Sequence, residues 1–274
     1  YPAMRGFARN GDADVTEAAP GPLPVAEPEA ASSDRARYAV TRSRLEGVVR
    51  VSGAKNSVLR LMAASLLTAE PVTLKRYPMT LRDAQVHKGM LEALGKRCTI
   101  EGGAVRIVEE ASPPQRLVWE GRSIRNTLLI LGAVTARTGA GEVPFPGGCN
   151  LGDRKYDLHV MVLERLGARV EAGDDFLRAE APNGLVGAEI HLPIRSTGAT
   201  ENSLICASLA RGRSTIWGPH IRPEIMDLIA MLRAMGAEIR VYGQERIEVD
   251  GTDALGGADH TVIPDNMEAL TWMI

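Results

Sequence analysis

The feature that most limits the fold of this 274-residue chain is a recurrence. Three times an amphipathic helical pattern ends on leucine or methionine followed by glycine: Met90-Leu-Glu-Ala-Leu-Gly95, Leu163-Glu-Arg-Leu-Gly167 and Leu232-Arg-Ala-Met-Gly236. The glycines lie 72 and 69 residues apart. Glycine at such a place suits the left-handed residue that closes a helix. Behind each comes alternation, a turn and more alternation: residues 98–100 to 105–107, 169–170 to 176–177, and 239–241 to 247–249. Period-two hydrophobicity around a short turn predicts a hairpin with a polar outer face. A fixed interval of this kind marks one supersecondary unit used repeatedly.

A second helix precedes each of these. Asn56-Ser-Val-Leu59 runs into Leu61–Leu66, Arg125-Asn-Thr-Leu128 into Leu131–Val134, and Glu201-Asn-Ser-Leu204 into Cys206–Leu209. These stretches are apolar almost all round and rich in small residues, which predicts buried helices in close contact. Pro223, followed by Ile225, Leu228, Leu232 and Met235 at helical spacing, fits a first-turn proline. Each unit therefore reads β-α-β-α-β-β over about 70 residues, an α/β class. Residues 261–274 read as the opening of a fourth unit, and the chain is expected to be a fragment of a longer protein.

Composition narrows the function. A net charge of −2 favours neither nucleic acid nor an anionic membrane as partner. The longest apolar run, around Leu128 to Ala136, is too short to span a bilayer. Three cysteines, an odd number, argue for a reducing, cytoplasmic setting rather than a disulfide scaffold. Residues 1–36, rich in Pro, Ala, Gly and acids without apolar period, are expected to be a disordered tail. Alternation from Tyr38 to Val51 predicts a strand segment over 37–51.

Four stretches carry candidate ligands. Ser52-Gly-Ala-Lys55-Asn56 turns into a buried helix and places a cation beside helix N–H groups, a setting suited to phosphate. Alone, that pentapeptide fits an ordinary surface lysine better. Arg125 occupies the corresponding place in the second unit, and Arg195-Ser-Thr-Gly-Ala-Thr-Glu-Asn202 does so in the third. Cys149 follows Pro146-Gly-Gly and precedes Arg154 and Lys155, so its surroundings favour a thiolate over a packing role. An ordinary exposed loop cysteine is the weaker alternative. Cys206 and Cys98 read as packing residues, and His159 as a structural partner. The histidines have no metal-ligand spacing.

Ser52–Asn56, Pro146-Gly-Gly-Cys149, Gly152, Arg154, Asp157-Leu-His159 and Gly198–Asn202, in that order, resemble the UDP-N-acetylglucosamine 1-carboxyvinyltransferases, enolpyruvyl transferases of peptidoglycan synthesis. The resemblance runs from about Tyr38 to Ile274. It implies an inside-out α/β barrel, with residues 52–255 as one domain of three units. Residues 37–51 would pair with a second domain, and 256–274 would begin it. It implies phosphoenolpyruvate and a UDP-sugar as substrates, and no cofactor or metal. Cys149 would be the general acid and the target of a fosfomycin-type epoxide. Lys55, Arg125 and Arg154 would hold phosphate and carboxylate, and Asn56 would orient the acceptor. Asp157, Leu158, Ser196, Thr197 and Gly198 would meet the uridine diphosphate end. The family's catalytic aspartate would lie past Ile274. Lys155, Tyr156, Arg195 and Arg222 depart from the pattern on the acceptor side, which keeps open another UDP-sugar, another nucleotide, or a non-catalytic nucleotide-binding half-protein.

Overall fold

The computed structural model describes residues 39, 41, 44, 46–147 and 156–274. The expected tail over 1–36 lies outside them. The chain divides into two units, Tyr1–Gly47 and Val48–Ile274. In the first, the described residues are exposed and belong to no helix or strand.

In the second unit the elements follow one another as expected for an α/β chain. Helix α1 (Lys55–Ala64) ends in a 3₁₀ turn (Ser65–Leu67), followed by β1 (Val72–Lys75), α2 (Arg82–Ala93), β2 (Lys96–Glu101) and β3 (Ala104–Glu109). Then come α3 (Thr127–Thr138), β4 (Ala140–Pro144), α4 (Asp157–Arg165), β5 (Arg169–Ala172) and β6 (Phe176–Glu180). The next stretch holds β7 (Glu189–His191), α5 (Thr197–Ala207), β8 (Arg213–Trp217), α6 (Pro223–Ala234), β9 (Glu238–Tyr242) and β10 (Arg246–Asp250). Strand β11 (Ala258–Thr261) and helix α7 (Asn266–Met273) complete it.

The strands form three sheets, ordered β11-β1-β3-β2, β4-β6-β5 and β7-β8-β10-β9. The three expected hairpins are antiparallel pairs: β2 with β3, β5 with β6, β9 with β10. Gly95, Gly167 and Gly236 close α2, α4 and α6 at φ of 85°, 92° and 105°, the left-handed region that their sequence position predicts.

Two of the sheets share a plan in which an outer strand runs parallel to the next: β7 beside β8, and β11 beside β1. In the β4 sheet that place holds only a parallel bridge between Arg116 and Glu142. Pro113 and Pro114 lie just upstream, and residues without an N–H cannot extend a ladder. The strand expected over 37–51 does not appear in the described part. Residues 46–51 lie in no strand, and Val48 is 96% exposed. Alternation makes a strand only where a second strand accepts its backbone groups.

Helices α1, α3 and α5 are buried and pack in series, α1 on α3 and α3 on α5. The approach of α3 to α5 depends on Gly132, where an added Cβ would lie 2.1 Å from Asn202 Oδ1 and 2.9 Å from Cys206 Sγ. Around them sit the apolar faces of α2, α4, α6 and the sheets. By contrast α7 buries none of its residues, and Trp272 and Met273 are exposed.

Candidate functional site

A cleft of about 550 Å³ opens where the N-terminal turns of α1, α3 and α5 meet. Lys55, Asn56, Leu59 and Arg60 line it from α1; Arg125 and Asn126 line it from the start of α3; Thr197, Gly198 and Glu201 line it from α5. Asp83 of α2, His159 of α4 and the Pro146–Gly147 turn complete the wall with Arg122, Ile124 and Leu129. Helix N-termini expose N–H groups and a partial positive charge, so their convergence suits an anion.

The start of α1 is held from outside its own sequence. The residue before α1, Ala54, offers no side-chain cap, and Asp265 supplies one instead. Its Oδ2 accepts from the Lys55 amide at 3.1 Å, while its Oδ1 accepts from Met267 and Glu268 amides at 2.9 and 3.0 Å. One carboxylate thus caps α1 and α7 together. The Ser52 amide donates to Glu268 Oε2 at 3.0 Å and its hydroxyl donates to the same oxygen, fixing the turn before Lys55. Ser123 does the same for the turn at residues 145–147. Its hydroxyl donates to Phe145 O at 2.8 Å and accepts from the Gly147 amide at 3.0 Å. Gly147 sits so close to that strand of chain that an added Cβ would lie 2.5 Å from Ser123 O.

Charge on the floor is arranged in pairs. Lys55 Nζ meets Asp83 Oδ2 at 2.9 Å, and Arg122 stands 3.9 Å from the other oxygen. Arg60 Nε donates to Glu201 Oε1 at 2.7 Å, where the glutamate is 1% exposed. Burial raises the Glu201 carboxyl above its ordinary value, and Arg60 opposes this. Asn126 donates to Leu59 O at 2.7 Å and lies 3.3 Å from His87 Nδ1. Burial, with Arg60 adding repulsion, lowers His87 to about 3. Burial, then Arg125 and Arg60, lowers His159 to about 3. Both imidazoles are therefore neutral, and His159 Nδ1 and His87 Nε2 have no partner among the described residues. A side chain at Gly198 would come within 2.9 Å of His159 Nε2.

Of the site residues expected from the sequence, Lys55, Asn56, Arg125, Thr197 and Gly198 come together on this cleft. Ser196 is the N-cap of α5, its hydroxyl accepting from the Ala199 amide at 3.3 Å. Asp157 is exposed on the first turn of α4 and Leu158 packs against the core; neither they nor Ser196 line the cleft. Cys149 and Arg154 lie outside the described residues. Gly147, two positions before Cys149, is on the cleft wall.

Sequence reasoning missed Arg60, Asp83, Glu201, Ser123 and Asp265. A signal existed for two of them: Arg60 and Glu201 each interrupt a helix otherwise read as buried, and a charge in such a helix needs a partner. Cys98, in β2, and Cys206, in α5, are buried as expected. Burial pushes the Cys98 thiol up to about 12 and that of Cys206 further. Among the described residues no cluster of His, Cys, Asp or Glu could hold a metal, and no helix is long and apolar enough to cross a membrane.

An α/β fold with a cationic cleft between buried helix starts defines the class. Residues 40–274 match the EPSP synthase (3-phosphoshikimate 1-carboxyvinyltransferase) family, and the chain belongs to it. Within that family it is 42% identical over 238 residues to a UDP-N-acetylglucosamine 1-carboxyvinyltransferase of Maricaulis maris, covering 85% of this chain and 55% of that protein. It is 42% identical over 232 residues to UDP-N-acetylglucosamine 1-carboxyvinyltransferase 1 of Carboxydothermus hydrogenoformans, covering 84% and 54%. The chain spans about half the length of the curated relatives it matches. In fold it is similar to the enolpyruvyl transferase NikO from Streptomyces tendae, with a TM-score of 0.73 at 24% identity over 84% of this chain and 55% of that one. EPSP synthase from Acinetobacter baumannii gives 0.67 at 21%, over 83% and 52%.

Proposed function

We propose that this chain carries one half of a cytoplasmic enolpyruvyl transferase. The reaction moves the enolpyruvyl group of phosphoenolpyruvate to the 3′-hydroxyl of UDP-N-acetylglucosamine and releases phosphate, the first committed step of peptidoglycan synthesis. The observation that carries this reading is the meeting of Lys55, Asn56, Arg125 and the Thr197–Gly198 turn, from three separate helices, on one cleft. Its described lining holds four cations, Lys55, Arg60, Arg122 and Arg125, against two carboxylates, Asp83 and Glu201. That balance suits a multiply charged anion such as phosphoenolpyruvate.

In this reading Lys55, Arg125 and Arg154 hold the donor's phosphate and carboxylate, and Asn56 orients the acceptor hydroxyl. The Cys149 thiol gives its proton to C3 of phosphoenolpyruvate as the hydroxyl oxygen bonds to C2, and the hydroxyl proton passes to a base, the role the resemblance gives to an aspartate past Ile274. A C3 proton then returns to the Cys149 thiolate as the C2–O bond to phosphate breaks, which restores the double bond and releases phosphate. Asp157, Leu158 and residues 196–198 take the uridine diphosphate end. The architecture is an inside-out α/β barrel of 70-residue units, with residues 52–255 as one domain. Residues 37–51 belong to a second domain; of residues 256–274, expected to begin that domain, β11 joins the β1 sheet instead, and α7 enters the second domain, whose further elements cover its exposed apolar residues. The departures at Lys155, Tyr156, Arg195 and Arg222 favour, as a second reading, a different UDP-sugar acceptor.

Two measurements test this. Binding of phosphoenolpyruvate and a panel of UDP-sugars to the chain should be tightest for UDP-N-acetylglucosamine, and preference for another sugar would transfer support to the second reading. A limiting dose of iodoacetamide should label Cys149 first, because burial keeps Cys98 and Cys206 protonated. Label found mainly on those two would remove Cys149 from its role.

A further inference from the structure

Arg60 is an unusual residue for its place. It sits in the middle of α1, a helix whose neighbours Val58, Leu59, Leu61 and Met62 are buried, yet its side chain is 16% exposed and lines the cleft. Its Nε is committed to Glu201 at 2.7 Å. Among the described residues its two terminal nitrogens make no hydrogen bond. They are not among the buried polar atoms that lack partners, so they reach the open cleft. A guanidinium carries five donors in a rigid fork, and anchoring one edge on a buried carboxylate leaves the other edge oriented and unsaturated. Glu201, on α5, cannot turn away, since the core encloses it.

We propose that Arg60, oriented by Glu201, is a further anion-binding residue of the cleft, recognising a phosphate-type oxyanion of a bound ligand beside Arg125. Burial, together with the charges of both arginines, keeps His159 neutral, which is consistent with two guanidinium groups facing one imidazole. The oxyanion has two possible sources, the phosphate of phosphoenolpyruvate or the diphosphate of a sugar nucleotide. The inference rests on the proposed function for the identity of the ligand, though not for the existence of the seat.

The test is calorimetric titration of the chain with inorganic phosphate, phosphoenolpyruvate and UDP-N-acetylglucosamine separately. The variants are Arg60→Lys, Arg60→Met and the double change Arg60→Met with Glu201→Gln, which leaves no buried charge unpaired should the single change fail to fold. Arg60→Met and the double variant are expected to lose at least tenfold in affinity for the probe Arg60 contacts. Arg60→Lys, keeping charge without the fork, should recover part of it. The probe that loses most identifies the source. Unchanged affinities in the folded double variant, or a wild-type chain that binds no anion, would overturn the proposal. Arg60-dependent binding of inorganic phosphate without either organic ligand would support the seat while overturning the proposed function.

Discussion

The buried helices α1 and α3 carry charged groups at both ends, and the two ends are built differently. At the C-terminal end Lys96 Nζ donates to Thr68 O at 2.6 Å and to Glu109 Oε2 at 2.7 Å. Arg137 grips the same carboxylate in a two-point contact at 2.9 and 3.0 Å and donates to Leu66 O at 2.9 Å. Donors there satisfy the carbonyls that a helix end leaves open. At the N-terminal end His87, His159 and Asn202 keep polar atoms buried without partners among the described residues, and Arg60 is only half used. Both regions bury charge; at the C-terminal end every one of these charged groups is paired, although the Thr135 hydroxyl of α3 has no partner among the described residues, whereas at the N-terminal end the charge is open on one side. A saturated network fastens secondary structure, whereas an unsaturated one leaves capacity for a ligand.

The sharpest way to test that contrast is to break the saturated end. Glu109→Ala would leave the cation of Lys96, 1% exposed in its side chain, without its carboxylate, and would release Arg137. Breaking a buried pair on one side costs about 3–5 kcal/mol. Urea denaturation should show a loss of that order, with anion binding at the cleft unchanged at temperatures where the variant stays folded. A loss under about 1 kcal/mol would mean the network is not the fastening described.

The open end makes a different demand, through pH. His87 and His159 are held near 3 in the folded chain, well below the roughly 6.5 of an unfolded histidine. The unfolded chain therefore takes up protons that the folded chain refuses. Stability should be full above about pH 6.5 and fall as pH drops toward 3, by up to about 1.4 kcal/mol per pH unit from each histidine. Urea midpoints measured from pH 7.5 to 5 check this, and His159→Gln should remove part of the slope. A flat profile would show that these histidines are protonated without penalty.

The smallest effect concerns the rim. Asp265→Ala removes a cap from α1 and α7 at once, a loss of about 0.5–2 kcal/mol. Amide exchange should quicken at Lys55, Met267 and Glu268 while the amides of β2 and β3 keep their protection. Equal loosening at both ends would erase the distinction between them.

Much of the architecture was readable because local chemistry and tertiary need coincide. Gly95, Gly167 and Gly236 end their helices in the left-handed region, and the hairpins behind them follow from period-two hydrophobicity. Lys55, Arg125 and Thr197 were found because helix starts with small or cationic residues are recognisable one at a time. Arg60, Glu201 and Asp83 were not: a charge in a helix read as buried signals that Arg60 and Glu201 need partners without naming them, and Asp83 reads as solvent-facing until its surroundings are known. Ser123 and Asp265 escaped for the same reason: each acts on a backbone amide remote in sequence.

By itself the sequence determined the helices, their glycine stops, the hairpins, the burial of α1, α3 and α5, and the α/β class. These depend on residue period and on conformational preference, which are local properties. The tertiary structure alone decided that β11 would lie beside β1, more than 180 residues away. It alone decided that Arg60 would meet Glu201 across two helices and that one aspartate would cap α1 and α7. Strand partners, ion pairs and shared caps are choices between distant groups of similar chemistry, and packing geometry selects among them.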